Sequence, residues 1–379
     1  MIILHNATIY SDDRVYDNHS ILIENQKIIA LLPSCDVKLD GAEVIDCTGK
    51  ILTPGFIDLQ INGFGGKLLN SDINRECFEV MTKSARKYGA TTIAPTLITT
   101  SDENIEKALN LAKELQEEFR YDISGLHIEG PYLNMEKRGV HNPKYVRKPE
   151  IAMIEKIAES AEVVSIVTLA PENATREHIQ TLTQAGIVVS LGHTNSCYSQ
   201  AITGIENGIS MATHLYNAMS GYAGRTPGAL GAVFNSDIYA GIIADGFHCD
   251  YASIEIAKKI KGDKLFLVTD AASPAGTDMK EFVFEGIPAI HENGKLFTKE
   301  GTLAGSALTM IDAVKNCVKY TTISFKEAVK MATLYPAKAI HIDHFLGKIQ
   351  PEYIANILIL NQDLSIDTVI HKGSIEKLI

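Results

Sequence analysis

The sequence predicts an α/β protein: a (β/α)8 TIM-like barrel with a small β-sandwich domain assembled from both termini. Three observations carry this reading. After about residue 50, short runs rich in Val, Ile and Thr alternate with longer amphipathic stretches of helical spacing. There are eight such runs, and eight strand-then-helix units are what that barrel requires. On either side of this region the chain reads as short alternating strands with turn residues between them.

In chain order, the N-terminal strands are expected at Ile2 to Tyr10, Ser20 to Glu24, Lys27 to Leu32 and Glu43 to Asp46. The barrel strands follow at Leu52 to Gln60, Thr91 to Ile98, Ile123 to Glu129, Val163 to Leu169, Ile187 to His193, Ile209 to His214, Tyr239 to Asp245 and Leu265 to Asp270. Helices are expected between them, among others at Ile73 to Tyr88, Asn104 to Phe119 and Thr175 to Ala185. The last of these is capped by Asn173 or Thr175 and stops before Gly186. From Gly347 the strand texture returns, with Ile354 to Leu360 and Thr368 to His371. The expected division is therefore 1–50 with 345–379 as the small β domain, and 51–344 as the barrel. A doubly wound sheet is the competing layout, but no GxGxxG follows the first strand. The Gly/Pro-containing stretch Ser220 to Gly231 is the most loop-like part of the interior.

Composition narrows the function classes. The chain has 379 residues, 45% of them apolar and 21% charged, enough to bury a large core, which excludes global disorder. Its net charge of −11 argues against nucleic acid and anionic membrane as partners. No apolar run has the length of a membrane span, and Met1-Ile2-Ile3-Leu4-His5 lacks the basic start of a signal peptide, so a cytoplasmic location is expected. Six scattered cysteines contain no CxxC pair, so any metal must be held by His and carboxylates.

In such a barrel, polar residues at strand C-termini face the active-site mouth. Glu129, His193, His214 and Asp270 each end one predicted strand. Two imidazoles and one carboxylate with an open position suit a hydrolytic divalent metal, and Asp270 is then placed to handle the proton of a water. One His after an apolar strand is ordinarily a hydrogen-bonded core residue. Four such groups at four strand ends are harder to explain that way, because an unpaired buried carboxylate is costly. His127, two residues before Glu129 on the same face, either holds a ligand in place or packs in the core. His141 and His248 lie in loops that open onto the mouth, as surface histidines or as substrate contacts. Arg225 is a lone Arg in a Gly-rich loop. His5, His19, His178, His291, His341, His344 and His371 lie on helices, turns or terminal strands and read as structural.

The segment Pro54-Gly55-Phe56-Ile57-Asp58 resembles the amidohydrolase superfamily. The segments Gly125-Leu126-His127-Ile128-Glu129-Gly130-Pro131-Tyr132, Leu169-Ala170-Pro171-Glu172 and Leu191-Gly192-His193-Thr194 narrow this. So do Thr213-His214-Leu215-Tyr216-Asn217-Ala218-Met219, Val268-Thr269-Asp270-Ala271 and Gly301-Thr302-Leu303-Ala304-Gly305-Ser306. Together they are similar to the N-acetylglucosamine-6-phosphate deacetylase family from end to end. The resemblance implies Glu129, His193 and His214 as metal ligands, Asp270 as general base and then acid, and His141 as the group that polarises the acetamide carbonyl. It implies that Asn217 and Ala218 through their backbone, with Arg225 and His248, hold the sugar phosphate. Val140, Leu303 and Ala304 line the rest of the pocket. It also implies a homodimer in which Arg225 reaches the neighbouring site, with N-acetylglucosamine 6-phosphate as substrate in amino-sugar breakdown and cell-wall sugar recycling.

One departure bears on the metal. Most of the superfamily carries His-x-His at the end of the first barrel strand, where this chain has Gln60-Ile61-Asn62, as a subset of the deacetylases does. Amides are poor zinc ligands beside imidazole, so one metal per subunit is expected: zinc foremost, with Fe, Mn or Co compatible with the same donors. Two rivals stand beside this reading. One is another amidohydrolase reaction, such as deamination or cyclic-amide hydrolysis, and the other is a barrel serving as a non-catalytic scaffold.

Overall fold

The computed structural model describes residues 1–377, so the last two positions of the segment expected at 345–379 lie outside the described residues. Its centre is an eight-stranded parallel barrel: β1 (Phe56–Ile61), β2 (Ala90–Ile98), β3 (Leu126–Glu129), β4 (Val164–Leu169), β5 (Val188–Leu191), β6 (Met211–Ala212), β7 (Tyr239–Ile243) and β8 (Leu265–Val268). Each expected run overlaps one of them. They are Val/Ile/Leu-rich and almost wholly buried because helices cover one face and the barrel core the other. The seam closes at the mouth, where Asp270 N–H donates to Gln60 O at 2.8 Å and Asn62 N–H to Ala271 O at 2.8 Å.

Each strand is followed by a helix: α1 (Arg75–Lys87), α2 (Asp102–Leu115), α3 (Ile151–Ala158), α4 (Arg176–Gln184), α5 (Tyr198–Glu206), α6 (Gly228–Phe234), α7 (Tyr251–Lys261) and α8 (Met310–Tyr320). Side-chain caps fix several starts: Asn74 accepts from Cys77 N–H, Ser101 from Asn104 N–H, and Thr309 from Asp312 N–H. The Ser101 cap starts α2 at Asp102, ahead of the Asn104 expected from the apolar spacing. At α4 the cap is Thr175, whose hydroxyl accepts from His178 N–H at 3.3 Å while His178 Nδ1 accepts from Thr175 N–H at 3.2 Å. Asn173 sits in a short 3-10 turn before it.

Two features depart from the expected layout. The run Leu52 to Gln60 is two strands: Ile51–Pro54 pairs with Ile357–Leu360 and with Thr8 and Ile9 of the first strand, in the terminal sheet, and only Phe56 onward enters the barrel. The break is at Gly55, where a Cβ would meet Thr91 Oγ1 at 2.1 Å, so only glycine lets the chain pass β2 so closely. Second, a four-stranded antiparallel sheet (Glu281–Phe284, Ile287–Glu292, Lys295–Thr298, Leu303–Ser306) is inserted between β8 and α8. Its sequence signal is the hairpin pair Asn293-Gly294, both at positive φ, as a two-residue turn demands.

The terminal strands form one eight-stranded sheet that bends on itself. Ile28 N–H donates to Tyr353 O at 2.9 Å, bridging its two arms, and Leu4, Ile21, Ile23, Ile357 and Ile359 share a core separate from the barrel's. An ion cluster ties this sheet to the base of the barrel. Asp122, buried ahead of β3, lies 2.5 Å from Arg86 Nη2 of α1 and 2.9 Å from His371 Nε2, and also meets Lys372 Nζ. Burial alone would raise the Asp122 carboxyl, but His371, Lys372 and Arg86 together hold it below its ordinary 3.8. Asp122→Ala leaves Lys372 and His371 without their shared carboxylate and Arg86 with Glu376 alone, and is expected to cost about 3–5 kcal/mol near neutral pH, read from denaturant unfolding. A carboxyl lowered on folding stabilises above its unfolded pKa and ceases to do so as pH falls through the folded value. The deficit should therefore shrink below pH 3.8.

Candidate active site at the barrel mouth

Four strand ends deliver the chemistry, and three of them do so through a backbone that L-residues seldom adopt. Glu129 is the last residue of β3; His193, His214 and Asp270 each come two residues past β5, β6 and β8, with φ of 47°, 33° and 51°. This left-handed turn swings each side chain inward from a strand that has already ended, at a cost in strain that the surrounding contacts must offset. After Glu129 the same task falls to Gly130, at φ 84°, where a Cβ would lie 2.3 Å from Thr99 Oγ1.

Glu129, His193 and His214 place one donor atom each within 4.8 Å of one another, and all three are buried. Glu129 Oε1 lies 3.3 Å from His193 Nε2 and 3.0 Å from His214 Nε2, and the two Nε2 atoms are 3.0 Å apart. His193 Nδ1–H donates to Lys137 O at 2.8 Å, which leaves Nε2 with its lone pair inward. A carboxylate oxygen and imidazole lone pairs facing one another repel unless a cation lies among them, so the donor set fits a divalent metal. Burial would raise the Glu129 carboxyl, yet the two imidazoles beside it, His193 and His214, hold it well below the usual range.

Asp270 is placed differently. Burial, and then the charge of Glu129, raise its carboxyl above the ordinary value. It accepts from Asn62 Nδ2 at 2.7 Å and from Gln60 Nε2 at 3.3 Å, and the same Gln60 amide donates to Glu129 Oε1 at 3.1 Å. The two amides that stand at the end of β1 thus present N–H groups to the carboxylates. His141 is buried in the wall with its ring centroid 4.3 Å from that of His193 and Nδ1 2.8 Å from Thr99 Oγ1. Burial and the neighbouring His193 keep it neutral, well below the usual imidazole value. His248 donates Nδ1–H to Asp245 Oδ2 at 2.7 Å.

These groups line one cavity of about 340 Å³ with Val140, Asn217, Ala218 and Leu303. A larger space of about 600 Å³ opens at the opposite end of the barrel, against Phe119, Tyr121 and Phe345, but no metal-holding group of described residues lies there. Four expected contacts sit elsewhere or act otherwise. Arg225 is exposed in a separate groove with Asn195 and Thr226, outside its own chain's cavity. Ala304 alternates away from Leu303 and packs with Phe282 and Phe284. The Asn217 backbone N–H is already donated to His214 O at 2.9 Å, whereas no described residue accepts from that of Ala218. His127 makes no hydrogen bond to any of the three candidate ligands. Its Nδ1–H donates to Leu59 O at 3.0 Å, so Nε2 accepts from Thr168 Oγ1, which accepts from Thr213, which accepts from Ser190. Burial pushes His127 down to about 4, so this chain keeps one direction under the cavity floor.

The inserted sheet supplies residues that the sequence reading passed over: Phe284, Thr302 and Gly305 complete one wall of the cavity. Gln60 and Asn62 also gain a positive role as donors to Glu129 and Asp270, beyond their failure to match His-x-His. Neither wall nor donors could be placed without knowing where β8 leads.

Comparison with known proteins agrees with this geometry. A family model described as the amidohydrolase family matches residues 51–375. An N-acetylglucosamine-6-phosphate deacetylase of Haemophilus influenzae is 40% identical over 98% of both chains. An N-acetylgalactosamine-6-phosphate deacetylase of Shewanella sp. is 39% identical over 77% of this chain and 75% of its own. A crystal structure of N-acetylglucosamine-6-phosphate deacetylase from Pasteurella multocida superposes with a TM-score of 0.97 at 42% identity, covering all of both chains. With an eight-stranded barrel and a buried Glu–His–His group at its mouth, the chain belongs to the amidohydrolase family.

Proposed function

We propose that the chain hydrolyses the acetamide of N-acetylglucosamine 6-phosphate to glucosamine 6-phosphate and acetate, with one divalent metal per subunit. The observation that carries this is the buried Glu129, His193 and His214 group with Asp270 beside it, in one cavity with His141 and His248. The relatives supply the substrate class. Gln60 and Asn62 support a single ion, because their amide N–H groups face the carboxylates and cannot act as ligands. Zinc is our first choice for a site of two imidazoles and a carboxylate. When bound, the ion acidifies a water and draws charge from the amide carbonyl.

The remaining work belongs to the chain. Asp270, its carboxyl raised towards neutrality, takes the proton of the attacking water and returns it to the sugar nitrogen as the C–N bond breaks. His141, held neutral, donates a hydrogen bond to the carbonyl oxygen as it gains charge. His248 and the Ala218 N–H are the groups on this side for the phosphate, with Val140 and Leu303 against the sugar. Arg225, away from its own cavity, serves the site of a second copy in a homodimer, where its guanidinium takes two phosphate oxygens. The six free cysteines suit the reducing cytoplasm. Among the described residues no helix is long and apolar enough to cross a membrane.

Zinc-loaded protein should release acetate from N-acetylglucosamine 6-phosphate much faster than from the unphosphorylated sugar, and Asp270→Asn should lower the rate about 10²–10⁴-fold. N-acetylgalactosamine 6-phosphate run alongside decides which sugar is preferred, and no acetate from either overturns the assignment. Chelation should abolish activity and one equivalent of zinc restore it, with elemental analysis giving one ion per chain; two ions per chain would refute the single-metal reading. For the dimer, Arg225→Ala and Asp270→Asn are each expected to be nearly inactive. Their mixture should regain about a quarter of wild-type activity, since half of the randomly paired dimers carry one complete site. If Arg225 acted within its own chain, the mixture would stay inactive.

A further inference from the structure

Glu172 lies in the loop after β4, outside the cavity, and its carboxylate takes three hydrogen bonds from two other loops. Thr194 Oγ1–H donates to Oε2 at 2.5 Å, Asn195 N–H to Oε1 at 2.7 Å, and Asn134 Nδ2–H to Oε1 at 3.0 Å. Thr194 is the residue after His193. Asn134 starts the 3-10 turn Met135–Lys137, accepting from Glu136 N–H at 2.9 Å, and that turn supplies the Lys137 carbonyl that His193 Nδ1–H reaches. Asn134 N–H closes the circuit by donating to His193 O at 2.9 Å.

The result is a ring of contacts running from Glu172 to Asn134, through the turn to the imidazole of His193, and from His193 through Thr194 back to Glu172. His193 is held in it by its ring Nδ1 and by its backbone carbonyl, at a φ of 47° that the chain would otherwise leave. A neutral acceptor would suit one or two of the donors. A carboxylate, with two oxygens and about four lone-pair directions, suits all three at once.

We infer that Glu172 is a positioning residue of the metal centre, pinning the backbone and ring of His193 so that Nε2 is aimed before a cation arrives. This rests on the metal reading of Glu129, His193 and His214, and it extends that reading to a side chain that touches neither metal nor substrate. Glu172 contributes rigidity: without it His193 relaxes towards ordinary backbone angles and each binding event must order the ligand again.

The test is zinc affinity, measured by competition with a chromogenic chelator on the apoprotein and read apart from activity. Glu172→Ala is expected to weaken zinc binding about 10–100-fold, as loss of a partner behind a ligand does elsewhere. Thr194→Val, similar in shape, removes the donor to Glu172 and the acceptor for Ser196 N–H; it should weaken zinc binding by a smaller factor, with a modest fall in the apoprotein's thermal stability. Glu172→Gln, which keeps an acceptor oxygen, should recover part of the loss. Wild-type affinity in both Glu172→Ala and Thr194→Val overturns the inference while leaving the metal centre intact. If Glu172→Ala fails to fold, Thr194→Val decides alone. Failure of the wild-type protein to bind zinc overturns the metal centre, and this inference with it.

Discussion

Two carboxylates held side by side at the mouth of the barrel set the terms for the groups around them. Glu129 and Asp270 share one donor, the Gln60 amide, at 3.1 and 3.3 Å; Glu129 is buried and Asp270 half-buried at the cavity surface. Like charges this close cannot both be held cheaply, and the fold resolves the conflict by giving them opposite surroundings. Glu129 faces two imidazoles that favour its ionised form, whereas Asp270 faces amides and the charge of its neighbour. One carboxyl is thereby fixed as a permanent anion and the other made a better proton carrier. The seam hydrogen bonds between β1 and the residues after β8 keep this distance.

The layer beneath is equally constrained. Ser190, Thr213, Thr168 and His127 form a chain of hydroxyls ending on the Leu59 carbonyl, with one consistent direction as long as His127 stays neutral. It spans β1, β3, β4 and β5 to the residue before His214, so the strands whose ends carry the three candidate ligands are locked to one another below it. The mouth can then carry left-handed non-glycine residues at His193, His214, Ala218 and Asp270 because its floor braces them.

Much of this was legible in the sequence. All eight barrel strands follow from runs of β-branched residues, since a strand buried on both faces must be apolar throughout. Glu129, His193, His214 and Asp270 stand out because they interrupt apolar runs where the chain must turn. What escaped the reading depends on contacts distant in sequence. The Ile51–Pro54 boundary is hidden because both strands flanking Gly55 are apolar, and only pairing separates them. Phe282 and Phe284 alternate with exposed residues like many surface hairpins, so nothing local says that Phe284 lines a cavity. His127 looked like a ligand's partner because period two places it under Glu129, and its actual partners come from β4 and the Leu59 carbonyl. Arg225 cannot be placed by local pattern, since its groove is formed with residues after β5 and β6.

The strand Ile51–Pro54 also governs how the chain can be made. On one edge it pairs with Thr8 and Ile9, available early; on the other it needs Ile357–Leu360, which leaves the ribosome about 300 residues later. At ordinary elongation rates that edge stays open for on the order of tens of seconds, with Ile51 and Leu52 unburied, while the barrel is assembled on the strand joined directly to it. The terminal sheet is therefore the last part of the molecule to close, and nascent chains stalled before residue 357 expose a sticky edge that chaperones would have to shield.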